Sequence, residues 1–543
     1  MSCASSSQVA AGTGTRTPTE HAVTTTTTTT FAVTQSATFA AAWDRACSDR
    51  ADSPFLVFER PDGAVRAWTY AEFDIVVDRF VALLRIRGAT PGSPVHLALT
   101  SSPTFVAVWL AASRLGAWIV PSDPMATAVE LAEHLRRTKA VVGFCASSRS
   151  AVYRQAGTDD GRPECVEVDE ADIELGWLPA PDRYRASPAP ADRAAVMFTS
   201  GTTGRPKGVE ITQANYAFAG SVMADAAGLS AGDRQMVVLP MFHANAQYYS
   251  FASAITVGAS VALMPGFSAS GFLPQAARHG ATHASLFAGP LRMILARGGP
   301  LPAATALQLR HCWFAQNLAA DQYETISEWF GCRPRQLYGM TETIPAVLTD
   351  RPGDPRPDTM GYVTTGCHVD LHDASGRSCA PGEVGEIVVG GARGESLFAR
   401  YLDDAATTAA SFRGDWFLTG DRATRDADGC FRFHGRRSDI LKVAGENVSV
   451  VEVETVLAAH PDVLEAAVVG APDPVRDEVP MAFVVAKQGV ADDVLLDSLG
   501  DWCEQRLAKS KRPHHYRLVD SLPRTSVGKI RTFLLKQETH EQT

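Results

Sequence analysis

The chemistry in this chain concentrates first in residues 199–208. Four hydroxyl side chains (Thr199, Ser200, Thr202 and Thr203), three glycines (Gly201, Gly204 and Gly208) and one lysine, Lys207, fall there directly after the apolar run 194–198. Glycines without a Cβ let backbone N–H groups approach an anion closely, while the hydroxyls and the lysine add donors and positive charge. That combination makes a cradle for a polyphosphate. It is not the common phosphate loop, G-x-x-x-x-G-K-[ST], because Lys207 follows Gly204 by three residues.

Further stretches carry complementary chemistry. Tyr338-Gly339-Met340-Thr341-Glu342-Thr343 supplies an aromatic ring, a hydroxyl and a carboxylate, suited to stacking a base, touching a phosphate and holding Mg²⁺. Asp421 follows an apolar run and Gly420, where it would accept hydrogen bonds from a ribose diol; a Gly-Asp pair alone more often marks a hairpin turn. Arg436, Asp439, Lys442, Gly445, Glu446 and Asn447 form a polar cluster ahead of a helix start near Ser449. Last, Lys529 follows Gly528 near the C-terminus, a position that in isolation reads as a solvated basic tail.

These residues need a scaffold. Apolar residues at helical spacing predict helices over 70–87 and 104–115, stopped by Gly88 and Gly116, with short buried strands over 95–99, 117–120 and 140–144. Strand patterns recur at 235–239, 260–264 and 283–287 with helices between, which implies βαβ units and parallel sheets. After about residue 360 short β-rich runs such as 385–389 and 430–434 predict an antiparallel or barrel-like piece. Beyond residue 437 come an amphipathic stretch, 451–460, strands over 463–469 and 481–485, and a helix over 495–507. The expected fold is therefore α/β. A tail, 1–37, precedes a large domain, 38–437, of βαβ-layered sheets with a β-rich subdomain, and a small mobile α+β domain, 438–543, follows.

Bulk composition narrows the classes. At 543 residues the chain exceeds one ordinary domain, and 45% hydrophobic with 20% charged content is that of a protein with a large core. A net charge of −10 argues against a general nucleic-acid binder. The ten cysteines are scattered with no C-x-x-C pair and no metal-ligand spacing, as expected of reduced thiols in a cytoplasm. The most apolar stretch, 105–121, is interrupted by Arg114 and falls short of a membrane span. The N-terminal tail, with its threonine run at 24–30, lacks the layout of a secretory signal and reads as disordered.

Taken together and in this order, the motifs closely resemble those of the adenylate-forming superfamily: acyl-CoA synthetases, luciferases of the firefly type and the adenylation domains of peptide synthetases. The resemblance spans residues 38–535. Phe242-His243-Ala244-Asn245-Ala246-Gln247-Tyr248-Tyr249, Tyr338 through Ile344, and Asp350-Arg351-Pro352-Gly353-Asp354 look most like the carnitine/crotonobetaine-CoA ligase branch.

The resemblance implies roles position by position. Thr199, Ser200, Gly201, Thr202, Thr203, Gly204 and Lys207 would hold the β- and γ-phosphates of ATP. Tyr338 would stack on adenine, Thr341 would contact the α-phosphate and Glu342 would bind Mg²⁺. Asp421 would take the ribose hydroxyls with Arg436 close by, and Lys529 would bridge the attacking carboxylate and the α-phosphate. His243, Asn245, Gln247, Gly289 and Gln316 would line the acyl pocket, and Gly445, Glu446 and Asn447 would meet CoA after the small domain rotates. Two features depart from the family pattern: Ser438 stands where the pivot usually carries Asp or Lys, and Phe314-Ala315-Gln316-Asn317 stands in the adenine-binding segment where many relatives carry a glycine-rich turn with an acidic or small residue.

The implied activity is ATP-dependent acid–CoA ligation, in which a small or aromatic carboxylic acid is activated as acyl-AMP and passed to CoA. An alternative keeps the adenylation and changes the acceptor: a carrier protein, an amine, or nitrite activation to diazotise an aryl amine.

Overall fold

The computed structural model describes residues 37–157, 163–199, 206–316, 318–436, 440–443, 446–473, 476–487, 489–524 and 530–540; residues 1–36 of the N-terminal tail lie outside them. The helices begin and end on local chemistry written into the sequence. Thr69 and Glu72 form a reciprocal capping box at the start of the helix Tyr70–Ile86, and Thr127 and Glu130 do the same for Ala128–Thr138. The helix Pro103–Leu115 opens on a Ser102 cap with proline in its first turn and stops at Gly116, whose φ of 73° is left-handed.

That last helix is buried along its whole length, Arg114 included. The guanidinium is tolerated because three carboxylates surround it: Asp44 at 2.6 Å, Asp78 at 2.7 Å and Asp74. A buried charge survives only when paired and hydrogen-bonded. The arginine that breaks the apolar run is thus an internal ion cluster tying this helix to two of its neighbours.

Among the described residues, two sheets carry the α/β layers. One has nine strands, with Pro54–Glu59, Ser260–Leu263, Arg234–Val237, His283–Ser285, His311–Phe314 and Arg335–Tyr338 running parallel. The other has seven strands, where Trp118–Pro121, Pro94–Ala98, Val142–Ala146 and Glu164–Val168 are parallel and Arg193–Thr199 joins them beside Trp118–Pro121. A third, antiparallel sheet gathers His368–His372, Gly385–Gly390, Trp416–Arg425 and Phe431–Arg436, in line with the β-rich texture of that region. One hydrophobic core runs beneath all three.

Several strands stop earlier than their apolar runs. The pattern over 235–239 yields Arg234–Val237, and that over 283–287 yields His283–Ser285. The remaining apolar residues, among them Leu239 and Leu286, stay buried in the turns that follow. Burial therefore extends past the hydrogen-bonded ladder, which periodicity alone cannot separate from strand.

The C-terminal residues build an α+β sheet from Ile440–Val443, Glu446–Ser449, Val463–Asp473, Asp477–Ala486 and His515–Leu518. Val450–Ala458 starts on a Ser449 cap. The hairpin Val463–Asp473 with Asp477–Ala486 is longer than its apolar pattern because the ladder continues through polar residues at its turn end. Nine described cysteines carry free thiols. No helix among the described residues is long and apolar enough to cross a membrane.

Candidate active site

The two flanks of the glycine-rich loop face one another. Thr199 and Lys207 are register partners across the antiparallel pair Arg193–Thr199 and Lys207–Thr212. At Gly208 an added Cβ would come within 3.1 Å of Val196 Cγ1 and Leu402 Cβ. The missing side chain leaves room for the close approach of the segment carrying Arg400–Tyr401, which pairs with this hairpin. The approach matters chemically, because it brings Tyr401 under Lys207, whose ammonium lies 4.8 Å from the ring centroid. The Tyr401 hydroxyl then donates to Glu342 Oε1 at 3.0 Å.

Glu342 is buried in the short turn Thr341–Thr343. Burial pushes its carboxyl above the usual range, opposed by a backbone N–H, the Tyr401 hydroxyl and the charges of Lys207 and Arg436. The residue before that turn's approach has no room for a side chain: a Cβ on Gly339 would lie 2.9 Å from the Pro345 carbonyl oxygen and 3.0 Å from Ala346 Cα.

A second polar chain adjoins the first. Tyr338, the last residue of its strand, donates its hydroxyl to Asp421 Oδ2 at 2.6 Å, and Arg436 Nε donates to Asp421 Oδ1 at 2.7 Å. Asp421 and Arg436 are register partners on adjacent strands. The Asp421 N–H is itself satisfied by Thr419 Oγ1 at 3.1 Å. Burial first, then the charge of Asp421, pushes the Tyr338 phenol up, so it remains a donor.

The remaining candidates follow the carboxyl ends of parallel strands, where open α/β sheets bind their ligands. His243 comes after Arg234–Val237, Gly289 after His283–Ser285 and Gln316 after His311–Phe314. His243 packs against Phe242, and its buried Nε2 meets no hydrogen-bond partner among the described residues. Burial drives its pKa down to about 4, so the imidazole is neutral at pH 7. Gln316 is exposed, holds a φ of 76°, and uses its carbonyl to accept from Gln336 Nε2 at 2.9 Å.

Asn245 and Gln247 are buried and bonded to their own fold. Residues Asn245–Ala252 wind into a π-helix whose every residue is buried. Asn245 Nδ2 donates to Ser285 Oγ at 2.9 Å; Gln247 donates to the Met241 carbonyl at 2.6 Å and accepts from the Tyr216 hydroxyl. Their hydrogen bonds tie this helix to its neighbours, and π-helical turns are rare overall but frequent at functional sites.

Ser200, Gly201, Thr202, Thr203, Gly204, Gly445 and Lys529 lie outside the described residues, as do Asn317, Ser438 and the side chains of Glu446 and Asn447. The structure brings together Thr199, Lys207, Tyr338, Thr341, Glu342, Asp421 and Arg436. Tyr401 joins them unannounced: it sits in a two-residue strand with no surrounding motif. Its contacts depend on a chain reversal that spacing does not reveal.

The family model described as "AMP-binding enzyme" matches residues 43–402, and that for the "AMP-binding enzyme C-terminal domain" matches residues 452–529. A crotonobetaine/carnitine–CoA ligase of Salmonella paratyphi C (strain RKS4594) is 32% identical over 502 residues, covering 90% of this chain and 96% of that protein. Among solved structures, the anthranilate CoA ligase AuaEII in complex with anthranoyl-AMP aligns with a TM-score of 0.84 at 27% identity, over 94% of this chain and 98% of that one. A benzoate CoA ligase from Burkholderia xenovorans LB400 aligns with a TM-score of 0.82 at 27% identity, over 92% and 100%.

Proposed function

The chain belongs to the AMP-binding enzyme family, and on that premise we propose that it is an AMP-forming acid–thiol ligase whose acid is small or aromatic. The observation that carries this reading is the pair of adjoining polar chains, Lys207–Tyr401–Glu342 and Tyr338–Asp421–Arg436. One offers charge for phosphates and the other a ring and an acid for a nucleoside. The solved relatives named above act on anthranilate and benzoate, which supports an aromatic acid.

In the first half-reaction the acid's carboxylate oxygen forms a bond to the α-phosphorus of ATP while the Pα–O–Pβ bond breaks and pyrophosphate leaves. Two anions must meet, so positive charge has to be in place where charge builds up. Lys207 would meet the β- and γ-phosphates with Thr199 and the residues 200–204, and Thr341 the α-phosphate. Lys529 would bridge the two reactants. No cluster of three or more potential ligands occurs among the described residues, yet one buried carboxylate suits Mg²⁺, which takes most of its ligands from phosphates and water. Bound at Glu342 with the nucleotide, Mg²⁺ would supply further positive charge against the phosphate oxygens.

In the second half-reaction the CoA thiol attacks the acyl carbon, the thioester forms and AMP leaves. Gly445, Glu446 and Asn447 would face CoA once residues 438–543 have rotated. His243, neutral and with Nε2 unmatched, would face the bound acid with Gly289 and Gln316.

The test is release of AMP and pyrophosphate across a panel of aromatic and small acids, each with and without CoA. An acid-dependent signal and consumption of CoA are expected. Adenylation with no CoA consumed would transfer the acceptor role to a carrier protein or an amine; AMP release from nitrite with an aryl amine would replace the acid altogether. No AMP from any mixture would refute the reading.

A further inference from the structure

Arg137 belongs to none of the motifs. It lies in the last turn of the helix Ala128–Thr138 and is half-buried. Its guanidinium donates from Nη1 to the Pro206 carbonyl at 2.6 Å and from Nη2 to the Leu402 carbonyl at 3.2 Å. It also lies over the Phe198 ring, 5.0 Å from the centroid. One turn earlier on the same helix, His134 stacks on that ring at 4.0 Å with planes 7° apart.

Each of these three contacts neighbours a residue of the site. Pro206 precedes Lys207, Leu402 follows Tyr401, and Phe198 precedes Thr199. The two strands are already stitched together here, since the Leu402 N–H donates to the Gly208 carbonyl at 2.7 Å. Proline has no N–H with which to extend that ladder. The arginine fork instead spans two carbonyls at the strand ends, Pro206 just before Lys207–Thr212 and Leu402 just after Arg400–Tyr401.

We propose that Arg137 is a positioning residue for the phosphate site: by clamping the Pro206 and Leu402 carbonyls it fixes Lys207 over Tyr401, and so sets the lysine for the terminal phosphates of ATP. The inference rests on the adenylating reading given above. A planar fork with fixed donor directions holds two acceptors at once, whereas a lysine ammonium acts as a point charge on a flexible stem. The clamp therefore depends on shape and not on charge alone.

The experiment is titration calorimetry of ATP with Mg²⁺, and separately of AMP, into the unaltered protein, Arg137→Met and Arg137→Lys, with melting temperatures alongside. ATP carries the terminal phosphates that Lys207 would meet and AMP lacks them. The dissociation constant for ATP should rise about tenfold in both variants, the scale of one charge-assisted hydrogen bond, while that for AMP moves by less than about twofold. Unchanged ATP affinity in Arg137→Met overturns the inference. Equal losses for ATP and AMP overturn it too, because the arginine would then support the fold generally. Full recovery in Arg137→Lys overturns it by showing that charge, not the fork, is what matters. If the unaltered protein binds no ATP, the adenylating reading itself falls and takes this inference with it.

Discussion

Lys207 and Tyr401 meet face-on: the ammonium lies 4.8 Å from the ring centroid, and the same ring's hydroxyl bonds Glu342 Oε1 at 3.0 Å. A cation over an aromatic face is attracted by the ring quadrupole, so the lysine is drawn toward the residue that orients the buried carboxylate. Burial and the charge of Glu342 both push the Tyr401 phenol up, which keeps it a donor at any working pH.

Tyr401→Phe separates the two contacts. The ring stays under Lys207, while Glu342 loses a hydrogen bond that favours its charged form. The carboxyl should rise further, so the acid limb of the adenylation rate, read by pyrophosphate exchange, should move to higher pH. Tyr401→Ala should in addition raise the KM for ATP. An unmoved acid limb in Tyr401→Phe would show that Glu342 does not govern it.

Asp421 accepts from Tyr338 and Arg436 through separate oxygens. Asp421→Asn keeps the shape, removes the charge facing Arg436 and turns one acceptor into a donor that clashes with its partner's hydrogen. Because the ribose is common to both nucleotides, ATP and AMP should weaken together, by about ten- to a hundredfold for a buried charge-assisted contact. Calorimetry with both ligands checks this, and a loss confined to ATP would contradict the assigned role.

Much of this architecture is legible in the chain because its causes are local. Thr69 with Glu72, Thr127 with Glu130, and Gly116 mark helix ends by chemistry that acts over a few residues. The motif residues Tyr338, Glu342 and Asp421 are recognisable because each motif is contiguous. What stays hidden depends on long-range pairing. Tyr401 reaches Glu342 only because Arg400–Tyr401 adds to the strand Lys207–Thr212. Asn245 and Gln247 read as pocket polarity, and nothing in their spacing announces that their amides bond Ser285, Met241 and Tyr216. Spacing gives a residue's chemistry but not the neighbour that uses it.

Buried histidines make stability depend on pH. His96 is wholly buried, and desolvation takes its pKa down to about 3; its Nε2 meets Ser122 Oγ at 2.9 Å and its Nδ1 the Tyr153 hydroxyl at 2.9 Å. Burial likewise takes His134 and His243 down to about 4. Below the ordinary value near 6.5 the unfolded chain takes up protons that the folded chain refuses. Stability is therefore full above about pH 6.5 and falls as the pH drops toward 4, by about 1.4 kcal/mol per pH unit for each fully excluded imidazole. Urea midpoints at pH 7.5, 6 and 5 should fall in that order. His96→Asn should lower the midpoint at pH 7.5 and flatten the slope; a slope equal to that of the unaltered protein would exclude His96 as a source.

Gly339 links Tyr338 to the turn carrying Thr341 and Glu342, and its surroundings leave no space. A Cβ there would meet the Pro345 carbonyl oxygen at 2.9 Å and Ala346 Cα at 3.0 Å, both backbone atoms, with the Tyr249 hydroxyl also at 3.0 Å. Backbone on the far side cannot rotate away as a flexible side chain would, so Gly339→Ala must displace the segment itself. Overpacking of this kind costs about 1–3 kcal/mol, and the shift falls on Tyr338, Thr341 and Glu342 together. The melting temperature should drop by several degrees and ATP affinity by more than the stability loss alone explains. Gly232 supplies the control, since nothing lies within 4 Å of a Cβ there; Gly232→Ala should leave both measurements unchanged. If Gly339→Ala binds ATP as tightly as the unaltered protein, the close approach at Gly339 does not shape the nucleotide site.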